Sequence, residues 1–135
     1  MAISQSLRNR AVVVEKYITL NTASGTVEGV SVPAGTLVLA AGIELIDAVD
    51  DVTTFTVDVT DGTTVFANDL NIDAAAAGTI LAGTTAGLVS TADTIDVVTT
   101  IAGSPAAARA RVFVVAIDVN ESVRGADEVV RDVLG

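Results

Sequence analysis

The chain of 135 residues contains no His, no Cys and no Trp, and it has only one Tyr and three Phe. Without His and Cys it cannot build a Ser-His-Asp or Cys-His catalytic site, or a zinc site made from those ligands. Because aromatic side chains are so scarce, surfaces that stack single-stranded nucleic acid or sugar rings are also disfavoured. The composition therefore favours a structural protein or a binding domain.

Positive charge is also scarce: seven Lys and Arg stand against 17 Asp and Glu, for a formal net charge of −10. A surface of this charge repels phosphate, so we expect no nucleic-acid partner. No apolar stretch reaches the roughly 18 residues that a membrane-spanning helix needs, and we expect no membrane partner. The apolar run at residues 11–14 is shorter than that of a signal peptide, so we expect a protein made and used without secretion.

The few basic residues are concentrated towards the two ends of the chain. Residues 17–108 contain 11 acidic residues and no Lys or Arg, whereas residues 1–16 carry a net charge of +2 and residues 109–135 a net charge of −1. An acidic surface keeps a protein soluble, and this is one interpretation of the pattern. A second interpretation, compatible with the first, is that the acidic body faces solvent while the cationic ends contact another molecule.

Strand-forming residues dominate what the sequence does contain, since 23 Val and 17 Thr are β-branched. Residues 54–60 alternate strictly: Phe55, Val57 and Val59 share one face and polar side chains the other. This period of two predicts a half-buried strand. Asp61-Gly62 follows directly and predicts a tight hairpin turn, with residues 63–66 returning antiparallel.

Further segments predict about eight or nine strands in all, the pattern of a sandwich or barrel. Within residues 36–46 the alternation places Leu37, Leu39, Ala41, Ile43 and Leu45 on one face, and Gly42 predicts a bulge or bend. The remaining strand candidates are 12–20, 26–32, 79–81, 88–90, 94–101 and 111–119.

The last candidate strand, 111–119, is apolar on both faces, which predicts a central strand or one covered on both sides. We therefore expect an all-β protein, an antiparallel β-sandwich of two packed sheets. Its predicted core contains Phe55, Val57, Val59, Phe113, Val115 and Ile117.

Two stretches interrupt the strand pattern. Residues 73–78 predict either one or two helical turns or a loop of small residues. In residues 120–135, Val129, Val130, Val133 and Leu134 recur at helical spacing, which predicts a short amphipathic helix or arm that docks on its own sandwich or on a neighbour. We expect one domain: an N-terminal arm and first strand at 1–20, a sandwich body at 21–119, and this C-terminal helix or arm.

Carboxylates are the only abundant reactive groups, and two of them at a suitable separation can hydrolyse a glycosidic bond. Calcium is the better use of the same residues, but the D-x-D-x-D-G spacing is missing. Asp58 on a strand face and Asp61 in a turn already have structural roles, and the Gly-rich stretch 78–87 lacks the Lys of a phosphate-binding loop. We expect no enzyme, no cofactor and no metal. The carboxylates considered are Asp47, Asp50, Asp51, Asp58, Asp61, Asp69 and Asp73.

The order of several segments resembles small structural proteins of tailed bacteriophages, and most nearly the capsid cement or decoration proteins. The segments are Val-Pro-Ala-Gly-Thr-Leu-Val-Leu at 32–39, the alternating strand ending in Asp-Gly-Thr at 61–63, Gly-Thr-Thr-Ala-Gly at 83–87, Thr-Ala-Asp-Thr-Ile-Asp-Val at 91–97, and Ala-Arg-Val-Phe-Val-Val at 110–115.

The resemblance implies a jelly-roll-like β-sandwich that sits on the outer surface of an icosahedral head and clamps neighbouring capsid subunits. Its partners would be the major capsid protein and further copies of itself, with a trimer favoured. An acidic chain suits the outer surface better than a DNA-filled interior, and it would be made in the host cytoplasm. The alternatives are another virion component, such as a head fibre base or a tail appendage, and a bacterial surface carbohydrate-binding module.

The chain ends are the predicted partner-binding sites, since the termini of such proteins often grip the capsid. We expect them to contact capsid protein or a sister subunit. The alternative is that the C-terminal helix only covers its own sandwich and the N-terminal arginines are solvated. The predicted partner-binding residues are Arg8, Arg10, Arg124, Val129, Val130, Arg131, Val133 and Leu134.

Overall fold

The computed structural model describes residues 10–49, 52–73 and 75–119. Within them, every strand pairing is antiparallel, and the strands form two sheets. The nine strands of this part are β1 (Val12–Thr19), β2 (Gly25–Val32), β3 (Thr36–Leu45), β4 (Val52–Thr60), β5 (Val65–Asn71), β6 (Ile80–Ala82), β7 (Gly87–Val89), β8 (Asp93–Gly103) and β9 (Arg109–Asp118). In the described ranges no helix is long and apolar enough to cross a membrane.

The strand order is that of a jelly roll. The first sheet has the order β1-β9-β3-β6, with β7 also paired to β3, and the second has the order β2-β8-β4-β5. The pairs are nested: β1 with β9, β2 with β8, β3 with β6 and β7, and β4 with β5 around the innermost turn. Such nesting is what a long hairpin gives when it is wrapped into two sheets, and it confirms the predicted jelly-roll-like β-sandwich.

The core lies between the two sheets, as the alternation in β4 predicted. Phe55, Val57 and Val59 are all at most 1% exposed, and they face the interior together with side chains of β8. Burial of these side chains is the main stabilising contribution that a sandwich of this size has, since it contains no disulfide. Other fully buried side chains are Val38, Ile43, Phe66, Ile72, Ile95, Val97 and Val112.

The turn between β4 and β5 is the predicted Asp61-Gly62 turn. Gly62 has a φ of +91°, which an L side chain rarely adopts. The Oδ1 atom of Asp61 accepts hydrogen bonds from the backbone N–H groups of Thr63 at 2.8 Å and Thr64 at 2.7 Å. The innermost hairpin is therefore specified by local chemistry.

The predicted position of β9 in the sheet is correct, but the prediction of which of its side chains point into the core is wrong. β9 is a central strand between β1 and β3, as expected. However, Ala110, Val112, Val114 and Ala116 are the buried side chains, while the predicted core residues Phe113, Val115 and Ile117 are only half-buried on the opposite face. A strand that is apolar on both faces has no alternation from which its inner side can be read. Arg111 was the available signal, because it shares a face with Phe113, Val115 and Ile117.

The shared face predicted within β3 is also wrong in part. Val38, Ala41, Ile43 and Leu45 are the buried residues, whereas Leu37 and Leu39 are on the outer side. The register against β9 shifts between Val38 and Ala40, which is a β-bulge that reverses the facing of every residue before it.

Gly42 is not the site of this bulge. It lies opposite Phe113, and a Cβ atom at Gly42 would come within 2.7 Å of the Phe113 ring. The same Cβ atom would come within 2.3 Å of the backbone carbonyl oxygen of Leu81 on β6, so the glycine allows β6 and the Phe113 ring to approach β3 closely.

In the stretch 73–78, for which a loop or one or two helical turns were predicted, the described residues 73 and 75–78 form a loop. Gly78 has a φ of +87°, and the N–H of Asp73 is bound to Oδ1 of Asn71. Ala74 lies outside the described residues.

Candidate interaction surface

The outward side of the first sheet is lined mainly by apolar side chains, and we refer to it as the apolar face. The pairings Val13 with Val115, Leu37 with Ile117, and Leu37 with Leu88 run side by side across four neighbouring strands. Several of these side chains are largely exposed: Val13 at 61%, Ile80 at 57% and Leu88 at 52%. The apolar face consists of Val13, Tyr17, Leu37, Leu39, Ala40, Ile80, Ala82, Leu88, Phe113, Val115 and Ile117.

A cluster of three charged side chains is set into the apolar face. Arg111 on β9 donates from Nε to Oε1 of Glu44 on β3 at 2.9 Å, and from Nη1 to Oε2 of Glu15 on β1. Its guanidinium also lies 5.3 Å from the centre of the Phe113 ring, within the range of a cation–π contact. The hydrogen bonds to Glu44 and Glu15 raise the pKa of Arg111 above its ordinary value. One permanent positive charge therefore lies between two carboxylates.

A second ion pair lies at the end of the same sheet. Arg109 donates from Nε to Oδ2 of Asp47 at 3.0 Å, and its backbone N–H binds the same oxygen at 2.9 Å. These hydrogen bonds hold the pKa of Asp47 below its ordinary value. The pair joins the segment after β3 to the start of β9. Beside it is a shallow groove of about 250 Å³ lined by Tyr17, Ile18, Thr19, Ile46 and Arg109.

The outward side of the second sheet differs in kind, and we refer to it as the polar face. Its central strands β4 and β8 present Thr and Asp side chains there, and among the described residues it carries no Lys or Arg. Two of its carboxylates accept backbone hydrogen bonds: Asp58 from the N–H of Asp69 at 2.7 Å, and Asp96 from the N–H of Gly29 at 3.2 Å.

The carboxylates considered from the sequence have separate surroundings where the structure describes them. Asp47 is paired with Arg109, and Asp50 and Asp51 lie outside the described residues. The structural roles predicted for Asp58 and Asp61 are confirmed by their hydrogen bonds to backbone N–H groups. In the part of the chain that the structure describes, no group of three or more Asp and Glu residues is arranged to hold a metal ion.

The start of β1 and the end of β9 lie at the same end of the sandwich. Val12 at the start of β1 pairs with Ala116 near the end of β9, and the N–H of Val119 donates to the carbonyl of Gly35 at 2.9 Å. A cleft of about 160 Å³ opens there between the sheets, lined mostly by apolar side chains that include Val14 and Val32.

The predicted partner-binding residues stand at or beyond these chain ends. Arg10, two residues before β1, is exposed. The others lie outside the described residues: Arg8, Arg124, Val129, Val130, Arg131, Val133 and Leu134.

The basic side chains are distributed asymmetrically between the two sheets. Of those that the structure describes, Arg10 directly precedes β1, Lys16 lies on β1, and Arg109 and Arg111 lie on β9. All four belong to or adjoin the first sheet. The sequence had shown basic residues at both ends, and pairing of the first strand with the last brings the two groups together.

Comparison with known proteins gives a match in structure but none in sequence. The chain matches no protein-family model and no curated protein. It is similar to a chain of the capsid asymmetric unit of cyanophage Pam1, with a TM-score of 0.56 and 21% identity over 81% of this chain and 85% of that one. It is also similar to a chain of the capsid of Helicobacter pylori bacteriophage KHP30, with a TM-score of 0.55 and 14% identity over 81% of this chain and 92% of that one. The resemblance to phage structural proteins predicted from the sequence is thus confirmed at the level of the fold.

Proposed function

We propose that this chain is a structural protein of a phage virion, which binds the outer surface of the capsid and clamps neighbouring capsid subunits as a cement or decoration protein. The observation that carries the proposal is the jelly roll shared with chains of two phage capsids over most of the length of both partners. The extent of the overlap means that these chains are about as long as this one. We assign the chain no catalytic role.

The distribution of charge supports a place on the outside of the head. The formal net charge is −10, and like charges at close range destabilise an assembly, so this chain is unsuited to contact with packaged DNA. The polar face, with its Thr and Asp side chains, suits contact with water. The first sheet, whose outward side exposes apolar residues such as Val13 and Leu88, is then the side turned towards the capsid.

The position of the chain ends supports their predicted role in gripping the capsid or a sister subunit. Because β1 and β9 are paired, the start of β1 and the end of β9 lie at one end of the sandwich. Residues 1–9 and 120–135 are joined to the body at this end, and the proposal assigns both segments to one binding site. A homo-oligomer, with a trimer favoured, would present several such pairs of ends to adjacent capsid subunits and gain affinity from multivalency.

The direct test is to add the purified chain to phage heads that lack it and to determine by cryo-electron microscopy where it binds. We expect it at regular positions over the outer surface, together with greater resistance of the heads to heat. Binding confined to vertices or to the tail would instead indicate a head fibre base or tail appendage. Failure to bind any part of the particle, combined with binding to glycans, would indicate a carbohydrate-binding module.

The role of the ends is tested by deletion of residues 120–135 and by the charge reversal Arg8→Glu with Arg10→Glu. If the ends grip the capsid, the deleted chain stays folded but no longer binds heads, and the reversal weakens binding in a salt-dependent way. If they only complete the fold, deletion lowers stability and leaves the affinity of the folded fraction unchanged. Full binding by a folded chain lacking both ends would refute the proposal for the ends.

A further inference from the structure

We infer that the apolar face is the surface that docks on the capsid shell protein, and that the matching surface of that protein is apolar and carries Arg or Lys. The inference rests on the proposed function and adds to it the contact surface and the chemistry of the partner. It concerns the folded body, whereas the predicted contacts of the chain ends concern segments outside that body.

The exposed apolar area is the first reason. Val13 on β1 and Leu88 on β7 lie near opposite edges of this face and are each more than half exposed, with half-buried Val115 and Ile117 between them. A contiguous apolar patch of this kind on an otherwise acidic chain is typical of a protein–protein contact. The polar face provides the internal comparison, because it belongs to the same sandwich and has no such patch in the described part of the chain.

The dimensions of the face indicate what kind of occupant fits it. Four strand positions at about 4.8 Å give a width of roughly 19 Å, and the ten residues of β9 give a length of roughly 33 Å. The product, roughly 600 Å², approaches the ~800 Å² that each partner contributes to a standard protein interface. A single helix is only about 10 Å across, so residues 120–135 would cover part of the face at most. The size therefore favours another folded protein.

The charges on the face distinguish a capsid protein from a second copy. Its ion-paired groups are Glu15, Glu44, Asp47, Arg109 and Arg111, which together leave one excess negative charge. A second copy laid against the face would bring the same excess on a chain of net charge −10. A partner that places a guanidinium or ammonium group beside Glu15 or Glu44 would neutralise the excess instead.

The test introduces one charge into the apolar face and the same charge elsewhere. Val13→Glu, Leu88→Glu and the double variant are compared with Val65→Glu, a matched control at an exposed valine that pairs with Thr60 on the second sheet. Binding is measured by cosedimentation with heads that lack the chain, and folding by circular dichroism and thermal unfolding. We expect each single variant to lose at least about tenfold in affinity and the double variant to lose binding, while Val65→Glu binds like the unmodified chain.

A second pair of variants tests the charge of the partner. Glu15→Gln combined with Glu44→Gln is expected to weaken binding by roughly three- to tenfold and to reduce its salt dependence. The control is Glu28→Gln, which removes an exposed carboxylate from β2 of the second sheet. Unchanged or tighter binding by the Glu15 and Glu44 variant would contradict the inference that the partner surface is basic.

The outcomes separate this inference from the function on which it rests. If the unmodified chain binds heads and Val13→Glu with Leu88→Glu binds equally well, the docking face is wrong and the proposed function stands. If the unmodified chain does not bind heads, both are wrong. Sedimentation velocity covers the remaining case, in which the face binds a second copy of the chain. The double variant would then dissociate an oligomer while each protomer kept its affinity for heads. That result would contradict the inference that the face binds the capsid shell protein.

Discussion

Both sheets of this sandwich are built from strands rich in β-branched residues, but their outward faces differ: that of the first sheet is apolar and that of the second is polar. β4 alternates between apolar and polar side chains, so its outward side belongs to a water-facing surface of Thr and Asp. β9 is apolar on both sides, so its outward Phe113, Val115 and Ile117 extend an apolar surface across the first sheet. A sheet that faces water needs only one apolar side. The second apolar side of β9 therefore indicates that this face has a use beyond folding.

The two sheets also differ in charge. In the described ranges the basic side chains belong to or adjoin the first sheet, whereas the polar face is acidic or neutral. Lys16 on β1 reaches inward over the edge of the sandwich, where its Nζ is 3.4 Å from the carbonyl oxygen of Glu28. An inward-pointing lysine on an edge strand discourages pairing with another strand. The geometry of β1 thus favours contact through the face of the first sheet over contact through its edge.

The largest expected effect is a loss of stability when a core aromatic side chain is removed, compared with the removal of one on the apolar face. Phe55→Ala removes a ring that is 1% exposed from the core and is expected to lower the free energy of unfolding by about 3–5 kcal/mol. Phe113→Ala removes a half-buried ring from the apolar face with its contact to Arg111, and a loss of about 1–2 kcal/mol is expected. Urea unfolding followed by circular dichroism measures both. Equal losses would contradict the distinction between the core, which holds Phe55, and the outward side of the first sheet, which holds Phe113.

A smaller effect is expected at the turn that closes the hairpin of the second sheet. In Gly62→Ala the new Cβ meets no atom within 4 Å, but the φ of +91° is unfavourable for it. The free energy of unfolding should fall by about 1 kcal/mol from this backbone strain alone. Gly62→Asn is the control, because Asn tolerates positive φ better and should lose less. Alanine as stable as glycine in urea unfolding would show that the turn relaxes to another geometry.

The smallest effect is expected at the ion pair on the end of the first sheet, and it depends on pH. Arg109 lowers the pKa of Asp47 from its ordinary value of 3.8. A carboxylate with a lowered pKa in the folded state stabilises the fold above its ordinary pKa, and this contribution disappears as the pH falls through the lowered value. Thermal unfolding should therefore show Asp47→Asn as slightly less stable than the unmodified chain near neutral pH, with a difference that shrinks as the pH falls below 3.8 and is lost below the lowered pKa. A difference that persists in strong acid would assign the effect to packing rather than to charge.

Most of the strand positions were predictable because each depended on local pattern. The strict alternation around Val57 and the Asp61-Gly62 turn specify a hairpin with little help from the rest of the chain. The inner sides of β3 and β9 were not predictable in the same way. In β3 the bulge before Ala40 changes which residues face inward, and in β9 both sides are apolar except for the arginine at 111 on the outward one. The alternation of apolar and polar residues therefore does not identify the inner side of either strand, and in β9 only Arg111 marks the outward side.

The candidate surface depended on tertiary structure to a greater degree. Val13, Leu88 and Ile117 are far apart in the sequence, and each alone is an ordinary strand residue. They share a face because β9 pairs with both β1 and β3, and β3 in turn with β7. The same pairings place Glu15 and Glu44 on either side of Arg111. For the residues that the sequence had singled out, the structure adds only that the start of β1 and the end of β9 lie at the same end of the sandwich.

The sequence by itself determined an acidic, all-β chain without His or Cys, because composition and the period of two act on each segment separately. Only the tertiary structure decided which side of the first sheet is exposed and which side chains meet there. The physical reason is that strand pairing is nonlocal: the nesting of β1 with β9 and of β3 with β7 decides the neighbours of every outward side chain. A surface made from four strands exists only after those strands have paired.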